Sequence, residues 1–82
     1  MKMQNTLTDK AIINGIEINA IELAEVAYDC LKFCNNDISK SINTSLYFLS
    51  GEKDYSKHTE LKAYSKDALK NIITEKDLLY ND

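Results

Sequence analysis

Residues 12–18 read Ile-Ile-Asn-Gly-Ile-Glu-Ile, which is the strongest short-range signal for a β-hairpin in the chain. Asn14 and Gly15 both tolerate the positive φ angles that the two central positions of such a turn require. We therefore predict a hairpin over residues 10–18. Because two strands alone are only marginally stable in water, this hairpin has to pack on helices or pair with another sheet.

A helix should follow the hairpin directly, over residues 20–34. Asn19 can cap its first turn, and Glu22 occupies the third helical position of a capping box. The polar residues of this segment form one narrow stripe, and a helix that is apolar around most of its circumference is usually central to a fold. We therefore expect the following side chains to belong to the core: Ile21, Leu23, Ala24, Val26, Ala27, Tyr28, Cys30, Leu31, Phe33 and Cys34.

A second helix is predicted over residues 37–50, because its apolar residues recur with the spacing of an amphipathic helix. Asp37 can cap its start, and Gly51 suits the left-handed conformation that often follows a helix end. The apolar stripe of this helix consists of Ile38, Ile42, Leu46 and Leu49.

Two further helices are predicted over residues 57–73 and 75–80. Ser56 can cap the first of them, and Thr74 can cap the second, since Asp77 follows it at capping-box spacing. The buried face of the longer helix should consist of Leu61, Tyr64, Ala68, Leu69, Ile72 and Ile73.

The predicted fold class is therefore mainly α: a small three- to four-helix bundle preceded by a short N-terminal β-hairpin. Residues 10–82 should form a single small domain, after a polar tail over residues 1–9. A core of this size supplies only roughly 3–5 kcal/mol of net stability. Catalytic pockets usually need a concave volume of about 300 Å³ or more, so a chain this short is disfavoured as an enzyme on its own.

The charge balance argues against nucleic acid as a partner. The chain has 10 basic residues, all of them Lys, against 13 acidic residues, for a formal net charge of −3. Phosphate binding depends on dense positive charge, and base reading depends heavily on bidentate Arg. The same acidity suits a partner protein with a basic surface, because complementary potentials favour association.

The two cysteines, Cys30 and Cys34, are expected to be buried free thiols. Their spacing of four would strain a helix if they formed a disulfide, and no Cys-x-x-Cys redox pair exists. Free thiols fit a reducing compartment. The first ten residues lack the apolar run of a signal peptide, and no apolar stretch is long enough for a membrane span. We therefore expect a cytoplasmic protein that does not associate with membranes.

We find no sequence motif for catalysis, a metal or a cofactor. The two glycines lie far apart, so no glycine-rich phosphate loop exists. The only histidine, His58, has no second His or Cys at ligand spacing. We expect no enzyme activity, no catalytic or metal-binding residues and no cofactor.

Candidate protein-binding residues fall in three places. Glu22, Glu25 and Asp29 follow one another along one face of the first predicted helix, where they could form an acidic docking stripe or simply a solvated face. Ile16 and Ile18 share one face of the second hairpin strand, which could extend a sheet of a partner or of a second copy. Tyr47 and Tyr55 are candidate aromatic contacts, because interfaces are enriched in Tyr.

The leading functional hypothesis is a small, acidic, non-enzymatic protein-binding module, with a homodimer as a further possibility. Its composition is similar to that of inhibitors and antitoxin-like proteins of phages and plasmids that block a host protein. One alternative is a helix-turn-helix DNA-binding regulator, in which Ser41, Asn43, Thr44 and Tyr47 would read bases. The other alternative is an accessory subunit that completes the active site of an enzyme.

Overall fold

The computed structural model describes residues 10–80, with the side chains of residues 10–77, so the predicted polar tail lies outside the described residues. This described part of the chain is mostly helical, with a two-stranded antiparallel hairpin followed by three helices. The elements are β1 (Lys10–Ile13), β2 (Ile16–Asn19), α1 (Ala20–Cys30), α2 (Ile38–Ser50) and α3 (Thr59–Tyr80), with a 3₁₀ turn at Lys32–Cys34.

The hairpin prediction is confirmed. Ile13 pairs with Ile16, so the turn consists of Asn14 and Gly15, whose φ angles are 52° and 84°. Both angles are positive, as a two-residue turn of this kind requires. The Asn14 side-chain amide also donates a hydrogen bond of 2.9 Å to the carbonyl of Ser50 at the end of α2. This bond ties the turn to the helical part of the fold.

The predicted starts of the first two helices are also confirmed. The Asn19 side chain accepts a hydrogen bond of 2.7 Å from the backbone N–H of Glu22, and Asp37 accepts one of 3.1 Å from the N–H of Lys40. Each bond satisfies one of the donors that a helix leaves unpaired in its first turn. At the other end of α2, Gly51 has a φ of 79° and closes the helix in the left-handed conformation.

The core lies where α1 packs against both other helices and the hairpin. Because α1 follows β2 without a loop, Ile18 and Ala20 enter the core side by side. The buried hydrophobic cluster consists of Ile13, Ile18, Ala20, Leu23, Ala24, Ala27, Leu31, Ile42, Leu46, Leu61 and Leu69. Cys30 and Cys34 are buried as predicted, and both are free thiols.

The predicted extent of the first helix, residues 20–34, is wrong at its end. The α-helix stops at Cys30, and the chain continues into the 3₁₀ turn. The cause lies just beyond, where Asn35 and Asn36 adopt left-handed φ angles of 55° and 62°. The N–H of Asn36 then bonds to the carbonyl of Leu31 at 2.8 Å, which closes the chain reversal.

The predicted division of the last helical region into helices 57–73 and 75–80 is also wrong, because α3 is one continuous helix of 22 residues. Thr74 does not act as a cap. Its hydroxyl donates a hydrogen bond of 3.0 Å to the carbonyl of Lys70, one turn earlier, as a threonine inside a helix does. The helix also begins later than predicted, at Thr59, because the N–H and hydroxyl of Ser56 both bond to the side chain of Asp54.

Three side chains that were predicted to be core are exposed instead. Ile21 is 57% exposed, Phe33 is 86% exposed and Tyr64 is 39% exposed. The buried residues of α1, which are Ala20, Leu23, Ala24, Ala27 and Cys30, share one side of the helix, and Ile21 lies outside that side. Phe33 is carried outward by the 3₁₀ turn, in which the helical periodicity no longer holds.

Candidate functional site

A groove with an acidic rim lies between α1 and the C-terminal half of α3. Two adjoining concavities, of about 520 Å³ and 320 Å³, open to solvent there, and the ring of Tyr28 lines both. The apolar lining side chains are Tyr28, Leu31, Ile38, Ile72 and Ile73, and the carboxylates on the rim are Glu25, Asp29, Glu75 and Asp77. We call this feature the acidic groove.

The acidic groove arises because two helices place carboxylates at intervals of one turn beside half-buried apolar residues. On α1, Glu25 and Asp29 flank Tyr28, and on α3, Glu75 follows Ile72 by three positions. Two lysines, Lys32 and Lys76, also line the groove. The ammonium of Lys76 lies 5.7 Å from the centroid of the Tyr28 ring, which is a cation–π distance. Acidic groups therefore outnumber basic groups along the groove.

The predicted acidic stripe thus lies beside acids that were not predicted to join it. Glu22, Glu25 and Asp29 are exposed on α1, and the structure brings the last two next to Glu75 and Asp77. Glu75 and Asp77 were predicted to lie in the capping turn of a separate short helix, so their place beside α1 was not predicted. Continuing the spacing of Leu69, Ile72 and Ile73 past Thr74 would have placed them correctly.

The other predicted binding residues do not join this groove. Ile18 is only 1% exposed, so it belongs to the core and has no surface to offer a partner. Ile16, on the hairpin, is 45% exposed, and Tyr47, on α2, is 42% exposed beside the ring of Phe48. Tyr55 is 55% exposed in the loop between α2 and α3, where it lines a different cavity.

That second cavity, of about 300 Å³, lies between α2 and the N-terminal half of α3. Its main feature is Lys62, which is only 8% exposed. The Lys62 ammonium donates a hydrogen bond of 3.1 Å to the side-chain carbonyl of Asn43 and another to the backbone carbonyl of Tyr55. Lys66 lines the same cavity one turn later. We call this feature the lysine cleft.

Burial lowers the pKa of Lys62 below its usual value, and the nearby charge of Lys66 lowers it further. Asp54 and Glu52 oppose this shift, but neither lies within 4.0 Å of the ammonium in the described part of the chain. The pKa of Glu52 is itself lowered, first by the hydrogen bond from the N–H of Asp54 and then by His58, whose Nε2 lies 3.2 Å from the carboxylate. These acids therefore interact within the loop.

The two thiols contact hydroxyl groups of α2. Cys30 Sγ accepts a hydrogen bond of 3.6 Å from Ser45, and Cys34 Sγ donates one of 3.7 Å to Thr44. Among the described residues, no group of three or more His, Cys, Asp or Glu side chains is arranged to hold a metal ion.

The residues suggested as base-reading groups of a helix-turn-helix are only partly accessible. Ser41 is completely buried, and Asn43 is engaged with Lys62. Tyr47 lies on the exposed side of α2, and Thr44 is half-buried beside Cys34.

Within residues 10–80, no helix combines the length and the apolar character needed to cross a membrane. The chain matches no protein-family model, and comparisons with curated proteins and with solved structures give no significant match either.

Proposed function

We propose that this chain is a non-enzymatic protein-binding module that takes a basic, partly apolar segment of another protein into the acidic groove. The observation that carries the proposal is the composition of that groove, in which an apolar floor is flanked by four carboxylates against two lysines. Helix-in-groove recognition uses this combination, since apolar anchors supply affinity and charged rims select the partner.

The dimensions of the groove suit a short amphipathic helix. The α3 residues that line the groove run from Ile72 to Asp77. This stretch covers roughly one and a half helical turns, or about 8 Å. One apolar side chain can rest on Ile38 and Ile73 in the larger concavity. A second one, at a spacing of i and i+4, would displace the Lys76 ammonium from the Tyr28 ring. Lysine or arginine residues beside them would then lie against Asp29 and Asp77.

Inhibition of the partner is a direct extension of this proposal. A module that covers an amphipathic segment prevents that segment from binding elsewhere, which is how an inhibitor or antitoxin-like protein acts on its target. No charged cofactor or metal is needed for this mode of action.

A designed peptide pair tests the proposal. The probe is a helical peptide of about 15 residues made of Lys and Leu at amphipathic spacing, and its matched control replaces every Lys by Glu. We expect the Lys peptide to shift the amide resonances of Tyr28, Asp29 and Ile73, and the Glu peptide to leave them unchanged. The binding should weaken as the salt concentration rises, because surface charges are screened.

A charge-reversed protein completes the test. The double variant Asp29→Lys, Asp77→Lys should bind the Lys peptide about tenfold more weakly, because it reverses two rim charges worth somewhat less than 1 kcal/mol each. The double variant Glu60→Lys, Asp67→Lys reverses two exposed acids of α3 that line neither concavity of the groove. It changes the net charge by the same amount and should bind like the parent protein. Equal weakening by both variants would show that only net charge matters and would overturn the proposal.

A further inference from the structure

The lysine cleft is a second concave site, and it differs in chemistry from the acidic groove. Lys62 is more than nine-tenths buried, yet both of its hydrogen-bond acceptors are neutral carbonyl groups. An ammonium has three donors, so one N–H of Lys62 has no protein acceptor among the described residues. Burying a cation without an ion-pair partner is costly, and proteins usually avoid it.

Three further features add positive potential in the same cleft. Lys66 lines the cleft one turn beyond Lys62, and two ammonium groups at this spacing repel each other. Lys62 is also the fourth residue of α3, close to the positive end of the helix dipole. Unlike α1 and α2, whose first turns are capped by Asn19 and Asp37, α3 has no side-chain acceptor bonded to its first-turn N–H groups in the described residues.

The carboxylates nearest to the cleft already accept hydrogen bonds from groups of their own loop. Asp54 accepts hydrogen bonds from the N–H and the hydroxyl of Ser56, and Glu52 accepts from the N–H of Asp54 and contacts His58. The loop therefore brings acids close to the lysines without pairing them. A small anion is the group that would neutralise both lysines at once.

We propose that the lysine cleft binds a phosphate group, either as inorganic phosphate or as a small phosphomonoester, between the ammonium groups of Lys62 and Lys66. A dianion matches two lysines in charge, and a volume of about 300 Å³ accepts a phosphate with a small organic group. The hydroxyl-bearing residues Ser39 and Thr59 also line the cleft and can donate to phosphate oxygens. In a phosphomonoester, the organic group would rest against Tyr55.

Titration with inorganic phosphate, followed by amide resonances at constant ionic strength, tests this proposal. We expect saturable shifts at Asn43, Thr59 and Ala63, with a dissociation constant on the order of 1 mM. Sodium chloride at matched ionic strength should produce none of them. The absence of saturable shifts up to about 20 mM phosphate would overturn the proposal.

Three lysine variants make the test specific to the cleft. Lys66→Gln should weaken phosphate binding about tenfold, since it removes one charge-assisted contact. Lys62→Met should abolish binding within the same concentration range. Lys70→Gln lies one turn further along α3, is exposed and lies outside the cleft, so it should bind like the parent protein. If Lys66→Gln and Lys70→Gln behave alike, the site does not exist, whether or not Lys62→Met folds.

A second arm compares phenyl phosphate with inorganic phosphate. Tighter binding of phenyl phosphate, with added shifts at Tyr55, would assign the cleft to phosphomonoesters. Equal binding would assign it to the free anion. Failure of this site would leave the peptide experiment on the acidic groove unaffected, because the two sites share no lining residue.

Discussion

The two halves of α3 present opposite surfaces, although they belong to one uninterrupted helix. The N-terminal half packs on α2 and carries the lysine cleft, where a cation is buried without an acid. The C-terminal half packs on α1 and carries the acidic groove, where carboxylates surround an apolar floor. Lys62 and Asp77 lie about 22 Å apart along the helix, at a rise of about 1.5 Å per residue. A small fold can therefore hold two surfaces of different chemistry at the two ends of one long helix.

The largest expected effect comes from breaking the element that the two halves share. Leu69 is completely buried between them, and Leu69→Ala should cost about 2–5 kcal/mol. This loss is comparable to the whole stability of a domain of this size. The amide-resonance shifts caused by the peptide and those caused by phosphate should therefore disappear together. Urea denaturation followed by circular dichroism measures the change in the free energy of unfolding.

The neighbouring exposed residue gives the matched control for that experiment. Lys70→Ala should change the free energy of unfolding by less than about 0.5 kcal/mol and leave both signals intact. If Leu69→Ala removes one signal and preserves the other, the two halves of α3 fold independently and the comparison fails.

A smaller effect is expected when the buried charge of Lys62, which distinguishes the N-terminal half of α3 from the C-terminal half, is removed. Lys62→Met should stabilise the protein by about 1 kcal/mol, since it removes a buried ammonium that has no ion-pair partner. The carbonyls that lose their donor, on the half-buried Asn43 side chain and at exposed Tyr55, can bond to water. The pKa of Lys62 is lowered in the fold, so the folded protein loses this proton more readily than the unfolded chain. Stability should therefore rise as the pH increases towards 10.5.

The pH dependence of the lysine variant separates this cause from a general packing effect. Lys62→Met should lose the rise in stability at high pH, whereas Lys70→Met should retain it. Thermal unfolding at several pH values between neutral and about 10 provides the comparison. A variant Lys62→Met that is destabilised at neutral pH would mean that the hydrogen bonds to Asn43 and Tyr55 outweigh the cost of burying the charge.

The smallest expected effect concerns the loop next to the lysine cleft. The pKa of Glu52 is lowered from 4.5, so its carboxylate stabilises the fold at neutral pH. That contribution is present above pH 4.5 and is lost as the pH falls through the lower folded-state pKa. Glu52→Gln should remove this part of the acid sensitivity and leave the part due to Asp54, whose pKa is also lowered.

Amide resonances of Asp54 and Ser56, followed during an acid titration, report on this loop. The variant Glu60→Gln changes an acid on the exposed first turn of α3 and should preserve the parent profile. If the acid-titration profile of these resonances is the same in Glu52→Gln as in the parent protein, Asp54 alone holds the loop.

Local signals in the sequence were sufficient where the physical cause is itself local. The Asn14-Gly15 turn, the caps at Asn19 and Asp37 and the left-handed Gly51 each depend on one or two side chains and their own backbone, and all were predicted. Thr74 shows where this approach fails. A threonine followed by an acid three residues later fits a cap, but the same hydroxyl can bond inside a continuous helix, and only the packing of α3 decides between the two.

The candidate sites were only partly predictable for a related reason. The α1 acids were recognised from their spacing, but their position beside Glu75 and Asp77 depends on how α3 crosses α1. Nothing near Lys62 in the sequence distinguishes it from the exposed lysines of α3. Its burial results from the approach of Asn43 and of the backbone at Tyr55, which are 19 and 7 residues away in the chain.

The two thiols provide the protein with a built-in reporter of its own opening. Cys30 and Cys34 are the only cysteines, and both are shielded against α2, with 7% and 3% of their surface accessible. A reagent that modifies thiols can reach them only when α1 and the 3₁₀ turn separate from α2. The rate of modification therefore measures how often this interface opens in the untagged protein, without any introduced label.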